Sequence, residues 1–138
     1  MTIPPAVVSI SASGGVSSLS SKRDNGSIMY DFANGKTTIC DIDLFRKQPC
    51  INDMGRMWCS SRFQSLEEYQ LGADIDEITN VYTLGATAFA LFGEYNRTRE
   101  KWQLSDKLFE IATRAVSDDR TKRQQSIRQF TAEWEAAQ

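Results

Sequence analysis

The sequence predicts a mainly α domain with a small β-hairpin, its helices packed around one buried central helix. Three observations carry that expectation. Asn34-Gly35 lies between two short strand-like runs, residues 78–92 are apolar almost all the way round, and two later segments carry apolar residues at helical spacing. A chain of 138 residues has the length of one domain and buries roughly two thirds of its unfolded surface on folding, enough for a hydrophobic core.

The hairpin comes first. Ser27-Ile28-Met29-Tyr30 and Lys36-Thr37-Thr38-Ile39-Cys40 flank residues 31–35, and Asn-Gly favours the tight turn that joins antiparallel strands. Residues 44–69 show no sustained period, carry Arg46, Lys47, Arg56 and Arg62, and end in Glu67-Glu68. They read as a long ordered loop. Asp74-Ile75-Asp76-Glu77 then supplies an acidic helix start with a Glu three residues on, and Gly93 ends the apolar helix. A helix without a polar face is a buried one. Leu104, Leu108, Ile111 and Ala115 mark one face of a second helix, and Ile127, Phe130 and Trp134 one face of a third.

Composition removes several function classes. With 41% hydrophobic and 25% charged residues and no apolar run long enough to span a bilayer as a helix, the chain reads as soluble, cytoplasmic and independent of membranes. Sixteen basic against eighteen acidic residues leave no cationic surplus for a phosphate backbone, which argues against nucleic acid as a partner. The absence of histidine excludes imidazole metal ligands and histidine-based nucleophile systems. Cys40, Cys50 and Cys59 match no zinc spacing and read as free thiols.

Residues 1–21 contain no charge and seven serines, a texture unlike the remainder. They lack the positive and apolar regions of a secretory signal, so residues 1–26 read as a flexible Ser-rich leader. Trp58, Trp102, Trp134, Phe89 and Phe92 read as packing residues, since large aromatic side chains are more often buried in a core than built into a ligand box.

The order of parts carries a resemblance. Asp41-Ile42-Asp43 follows the hairpin, the loop closes on Cys59-Ser60-Ser61-Arg62-Phe63-Gln64-Ser65-Leu66-Glu67, the central helix opens with Thr79-Asn80-Val81-Tyr82-Thr83-Leu84-Gly85, and Asp119-Arg120-Thr121-Lys122-Arg123 comes near the end. Residues 27–138 resemble the C-terminal lobe of a Ser/Thr protein kinase domain of a divergent bacterial kind. The resemblance implies a transferase ancestry with ATP and Mg²⁺ as cofactors. Asp41 would hold magnesium in place of the Asp of D-F-G, with Asp43 and Ser27 as further oxygen ligands. Glu67 would be the Glu of A-P-E and Arg123 its structural partner, a bidentate pair suited to a buried brace. Asn80 stands where the family's helix-anchoring Asp stands.

Departures from the pattern limit what the resemblance implies about activity. The phenylalanine and glycine of D-F-G are both replaced. Lys22 occupies the place of the catalytic aspartate, and an ammonium group cannot accept a proton from a substrate hydroxyl. The residues before Ser27 hold neither a G-x-G-x-x-G lid nor a strand lysine, so the ATP-gripping N-lobe is expected to be missing. The expectation is a truncated, pseudokinase-like domain, inactive alone. The alternative is a non-catalytic binding module, partnered by a separate kinase N-lobe or a regulatory protein. Ser60, Ser61 and Ser65, near Arg46 and Arg62, are candidate phosphorylation sites within the loop.

Overall fold

A computed structural model describes residues 19–20, 28–31, 33–34, 36–39, 46–57 and 60–138. Six short strands pair into three antiparallel ladders: β1 (Leu19–Ser20) with β4 (Arg46–Lys47), β2 (Ile28–Asp31) with β3 (Lys36–Ile39), and β5 (Cys50–Ile51) with β6 (Asp74–Ile75). Three helices follow, α1 (Glu77–Phe92), α2 (Asp106–Ala115) and α3 (Ile127–Ala136), so the described part is mainly helical with small sheets. The hairpin is present in the register that a turn at Asn34 dictates, with Asp31 opposite Lys36 and Ile28 opposite Ile39.

Two expectations change in detail. The segment 44–69, read as one loop, carries β4, β5 and a 3₁₀ turn at Leu66–Tyr69. Backbone groups that approach a core need partners, and these find them: Asn52 donates its N–H to the Ala73 carbonyl at 2.9 Å, and Gly72 donates to that of Asn52 at 2.7 Å. Leu19–Ser20, inside the segment read as a leader, form a ladder strand. The rest of residues 1–26 lies outside the described residues.

The central helix is capped by Asp76, two residues later than the Asp74 and Glu77 pairing suggested. Asp76 Oδ1 accepts from the N–H groups of Ile78 at 2.9 Å and Thr79 at 3.4 Å, while Asp76 N–H donates to Thr79 Oγ1 at 3.3 Å, closing a capping box with threonine in the reciprocal place. Glu77, freed from that duty, accepts the Ile127 N–H at 2.9 Å and ties the start of α3 to the start of α1. Along α1, residues 79–83, 85, 86 and 88–90 are buried, and Leu91 is exposed.

Two apolar clusters surround that helix. Phe63, Tyr82, Ala86, Phe89, Trp102, Leu108 and Ala112 form the larger one; Val81, Ala115 and Phe130 form the smaller, with Ile111 and Trp134 touching both. Gly85 permits the close crossing of α1 and α2: a Cβ there would lie 2.7 Å from the Ala115 Cβ and 3.0 Å from a Val116 methyl. Trp102 and Trp134 pack among Phe89, Phe92, Phe109 and Phe130, with ring centroids 5.1 to 6.4 Å apart, and the Trp102 indole N–H donates to the Ser105 carbonyl at 3.0 Å. Trp58 lies outside the described residues.

Candidate functional site

The most concentrated chemistry in the described residues lies where the 3₁₀ turn at Leu66–Tyr69 meets the first turn of α1 and the segment between α2 and α3. Glu67 reaches this point from the first, Asp76 and Thr79 from the second, Arg120 and Arg123 from the third. A second 3₁₀ turn, Arg120–Lys122, explains why both arginines arrive together. Side chains three apart in a 3₁₀ turn superpose, so Arg120 and its C-cap residue Arg123 leave the backbone on one side.

Arg123 holds the centre and is 1% exposed. Its Nη1 and Nη2 donate to Glu67 Oε1 at 2.6 Å and Oε2 at 3.1 Å, its Nε donates to the Ser117 carbonyl at 2.7 Å, and its guanidinium lies 5.0 Å from the Tyr82 ring centroid. Arg120 Nη1 donates to Glu67 Oε1 at 2.9 Å and to Thr79 Oγ1 at 3.2 Å, while its Nη2 donates to Asp76 Oδ2 at 2.7 Å. Thr79 Oγ1 in turn donates to Glu67 Oε1 at 3.1 Å. Two carboxylates and two guanidinium groups thus form a network with no net charge. Such a balance is what permits ions to be buried, because an unpaired one would carry its full desolvation cost.

Burial pushes the Glu67 carboxyl up, but the hydrogen bond from Arg123 and the charges of Arg123 and Arg120 outweigh it and hold the group below its ordinary value. Its neighbour Glu68 behaves in the opposite way. Burial dominates and raises the carboxyl to about 7, against hydrogen bonds from the Ser65 N–H at 2.8 Å and the Ser65 hydroxyl at 3.1 Å, with the charge of Glu67 adding to the rise.

The structure brings Glu67 and Arg123 together as a bidentate pair and places Asn80 one residue beyond Thr79. Asn80 is buried, and its side-chain amide donates to Gln48 Oε1 at 2.9 Å. Among the three serines, Ser61 is exposed, Ser60 is partly buried, and Ser65 is fully buried with its hydroxyl committed to Glu68, which closes it to a modifying enzyme in this conformation. Lys22, Ser27, Asp41 and Asp43 lie outside the described residues. Among the described residues no three His, Cys, Asp or Glu side chains are grouped to hold a metal ion, and no helix is long and apolar enough to cross a membrane. Cys50 is a free thiol, and Cys40 and Cys59 are outside the described residues.

Sequence reasoning named Asp76 only as part of a helix start and Arg120 only within a motif, and joined neither to the Glu67–Arg123 pair. The signal was present: Arg120 and Arg123 stand three apart in a stretch opened by Asp119, whose carboxylate accepts from the Thr121 N–H at 3.0 Å and hydroxyl at 2.7 Å and so starts the turn. No protein-family model, no curated protein and no solved structure matches this chain.

Proposed function

We propose that residues 27–138 are a protein kinase-like C-lobe of the Ser/Thr type that has kept its architecture without phosphotransfer, and that it serves in the cytoplasm as a pseudokinase-like, non-catalytic protein-binding module. The observation that supports this reading is the buried Glu67–Arg123 pair. It joins the end of the loop that resembles an activation segment to the D-x-x-x-R stretch, next to the start of the helix that resembles the family's central one. Three segments, the last more than forty residues beyond the others, meet at one neutral ion network, and a brace of that kind fixes a loop against a helix core.

The residues at the remaining family positions argue for binding over turnover. Lys22 stands in the place of the general base, a group worth about 10²- to 10⁴-fold in rate. Asp41, with Asp43 and Ser27, is the candidate for magnesium, and ATP with Mg²⁺ is the cofactor pair the resemblance implies. Phosphoryl transfer depends on positioning and electrostatics, and at the family's positions here the general base and the phenylalanine and glycine of D-F-G are all replaced. The partner this reading calls for is a protein: a separate kinase N-lobe or a regulatory chain.

A radiolabelled phosphate-transfer assay tests the proposal. The expected result is incorporation indistinguishable from that of the Asp41→Ala variant. Incorporation clearly above that variant overturns it.

A further inference from the structure

On the face beside the brace, two arginines stand without acidic partners. Arg62, in the turn at residues 61–63, and Arg97, in the connection between α1 and α2, are both exposed, and among the described residues no carboxylate pairs with either. Their neighbours in charge are already engaged: Lys101 with Glu94 at 3.5 Å, Arg99 with Asp106, and Glu67 with Arg123 and Arg120.

Both side chains are nevertheless held in place. The Arg62 guanidinium lies 4.8 Å from the Tyr95 ring centroid and that of Arg97 5.3 Å from the Tyr82 ring centroid. Arg97 Nη2 also donates to the Tyr82 hydroxyl at 3.1 Å and to the Arg62 carbonyl at 3.4 Å, which brings the two residues to the same place on the surface. The chain accepts strain to present Tyr95. Glu94 and Tyr95 adopt φ of 52° and 62°, consecutive left-handed residues without a glycine. Bulky side chains rarely adopt that conformation, and it concentrates at functional sites. A guanidinium held over a ring presents donors at its edge: Arg97, with Nη2 engaged, still has Nη1 and Nε to offer, and Arg62 its whole fork, both pre-ordered for a planar oxyanion.

We infer that Arg62 and Arg97 form a clamp for the carboxylate side chains of an acidic peptide segment on a partner protein. The clamp rests on the binding-module reading and names the chemistry of the partner. Two ordered cations with no carboxylate partner among the described residues create a local positive potential on a chain whose net charge is −2, and that potential selects anionic segments over neutral ones.

Fluorescence anisotropy with a labelled Glu-rich peptide, its Gln-substituted counterpart and a phosphoserine counterpart tests this on the full chain at low ionic strength. The Glu peptide is expected to bind saturably and more weakly as salt rises, and the Gln peptide to fail. Arg62→Glu is expected to weaken binding at least about tenfold, and Arg97→Ala about fivefold. Arg97→Lys restores part of the loss because the charge remains. Arg56→Glu, at another exposed arginine that lies over Tyr69, should change affinity less than about twofold, with Arg62→Glu melting as the parent does. Equal binding of the Gln peptide, an equal loss in Arg56→Glu, an unchanged Kd in Arg62→Glu, or binding of the phosphoserine peptide alone would each overturn the clamp. No nucleotide is involved, so such a failure leaves the kinase-like reading standing, and phosphate transfer by the chain leaves the clamp standing.

Discussion

Glu67 and Arg123, 56 residues apart in sequence, share two hydrogen bonds of 2.6 and 3.1 Å in a site from which solvent is almost excluded. Neither charge is tolerable there without the other. The pair is central to an account in which the end of the loop, the head of α1 and the segment before α3 are held as one body.

Removing one partner strands the other. Arg123→Ala or Glu67→Gln should lower the unfolding free energy by about 3–5 kcal/mol. Combining Arg123→Ala with Glu67→Gln should cost less than the two single losses together, with a coupling of about 0.5–3 kcal/mol in a double-mutant cycle. Urea denaturation of the four chains measures this; simple additivity would show that the two groups do not depend on one another.

The two adjacent glutamates give stability opposite slopes with pH. Glu68 is raised in the folded state to about 7 from 4.5, so the folded chain binds the extra proton and stability falls as pH rises between those values, by on the order of 3 kcal/mol. Glu67 is lowered, so its contribution is present above 4.5 and is lost as pH falls through its folded value. Stability should therefore peak near pH 5. Denaturation across pH 3–8 checks the shape, and Glu68→Gln should remove the loss on the alkaline side.

At Gly85, α1 passes α2 too closely for any side chain. Gly85→Ala places a methyl 2.7 Å from the Ala115 Cβ and 3.1 Å from the Ala112 carbonyl oxygen, and a backbone atom does not give way as a side-chain end would. The expected cost is about 1–3 kcal/mol, although alanine favours a helix over glycine, and a thermal melt measures it.

Trp102 anchors the aromatic cluster. It is 5% exposed and contacts the rings of Phe89, Phe92, Phe109 and Trp134. Trp102→Ala should cost about 3–5 kcal/mol in urea denaturation. Trp134→Ala should cost less, because Trp134 is only partly buried and the site is open to water on one side.

The helices and the hairpin were legible because each rests on local signals. Residues 78–92 lack a polar face, Leu108 and Ala115 repeat at helical spacing, and Asn34-Gly35 specifies a turn. The ladders of β1 with β4 and β5 with β6 were not legible. Each is two residues long and is set by what the backbone meets in space, as at Asn52 and Ala73, and periodicity carries no trace of that. The brace was half legible: Glu67 and Arg123 came from resemblance to known motifs, while Arg120 joined them through the geometry of a 3₁₀ turn. The clamp at Arg62 and Arg97 needed the fold, since the tyrosines that order those side chains are brought to them from far along the chain.

Isothermal titration of Mg²⁺-ATP into the chain, alongside Asp41→Ala, tests the central claim most directly. A module that acts through protein contacts alone, and has lost nucleotide binding along with phosphotransfer, should release no saturable heat at millimolar nucleotide. Saturable binding that disappears in Asp41→Ala would contradict that claim, and would mean that a working nucleotide and metal edge remains.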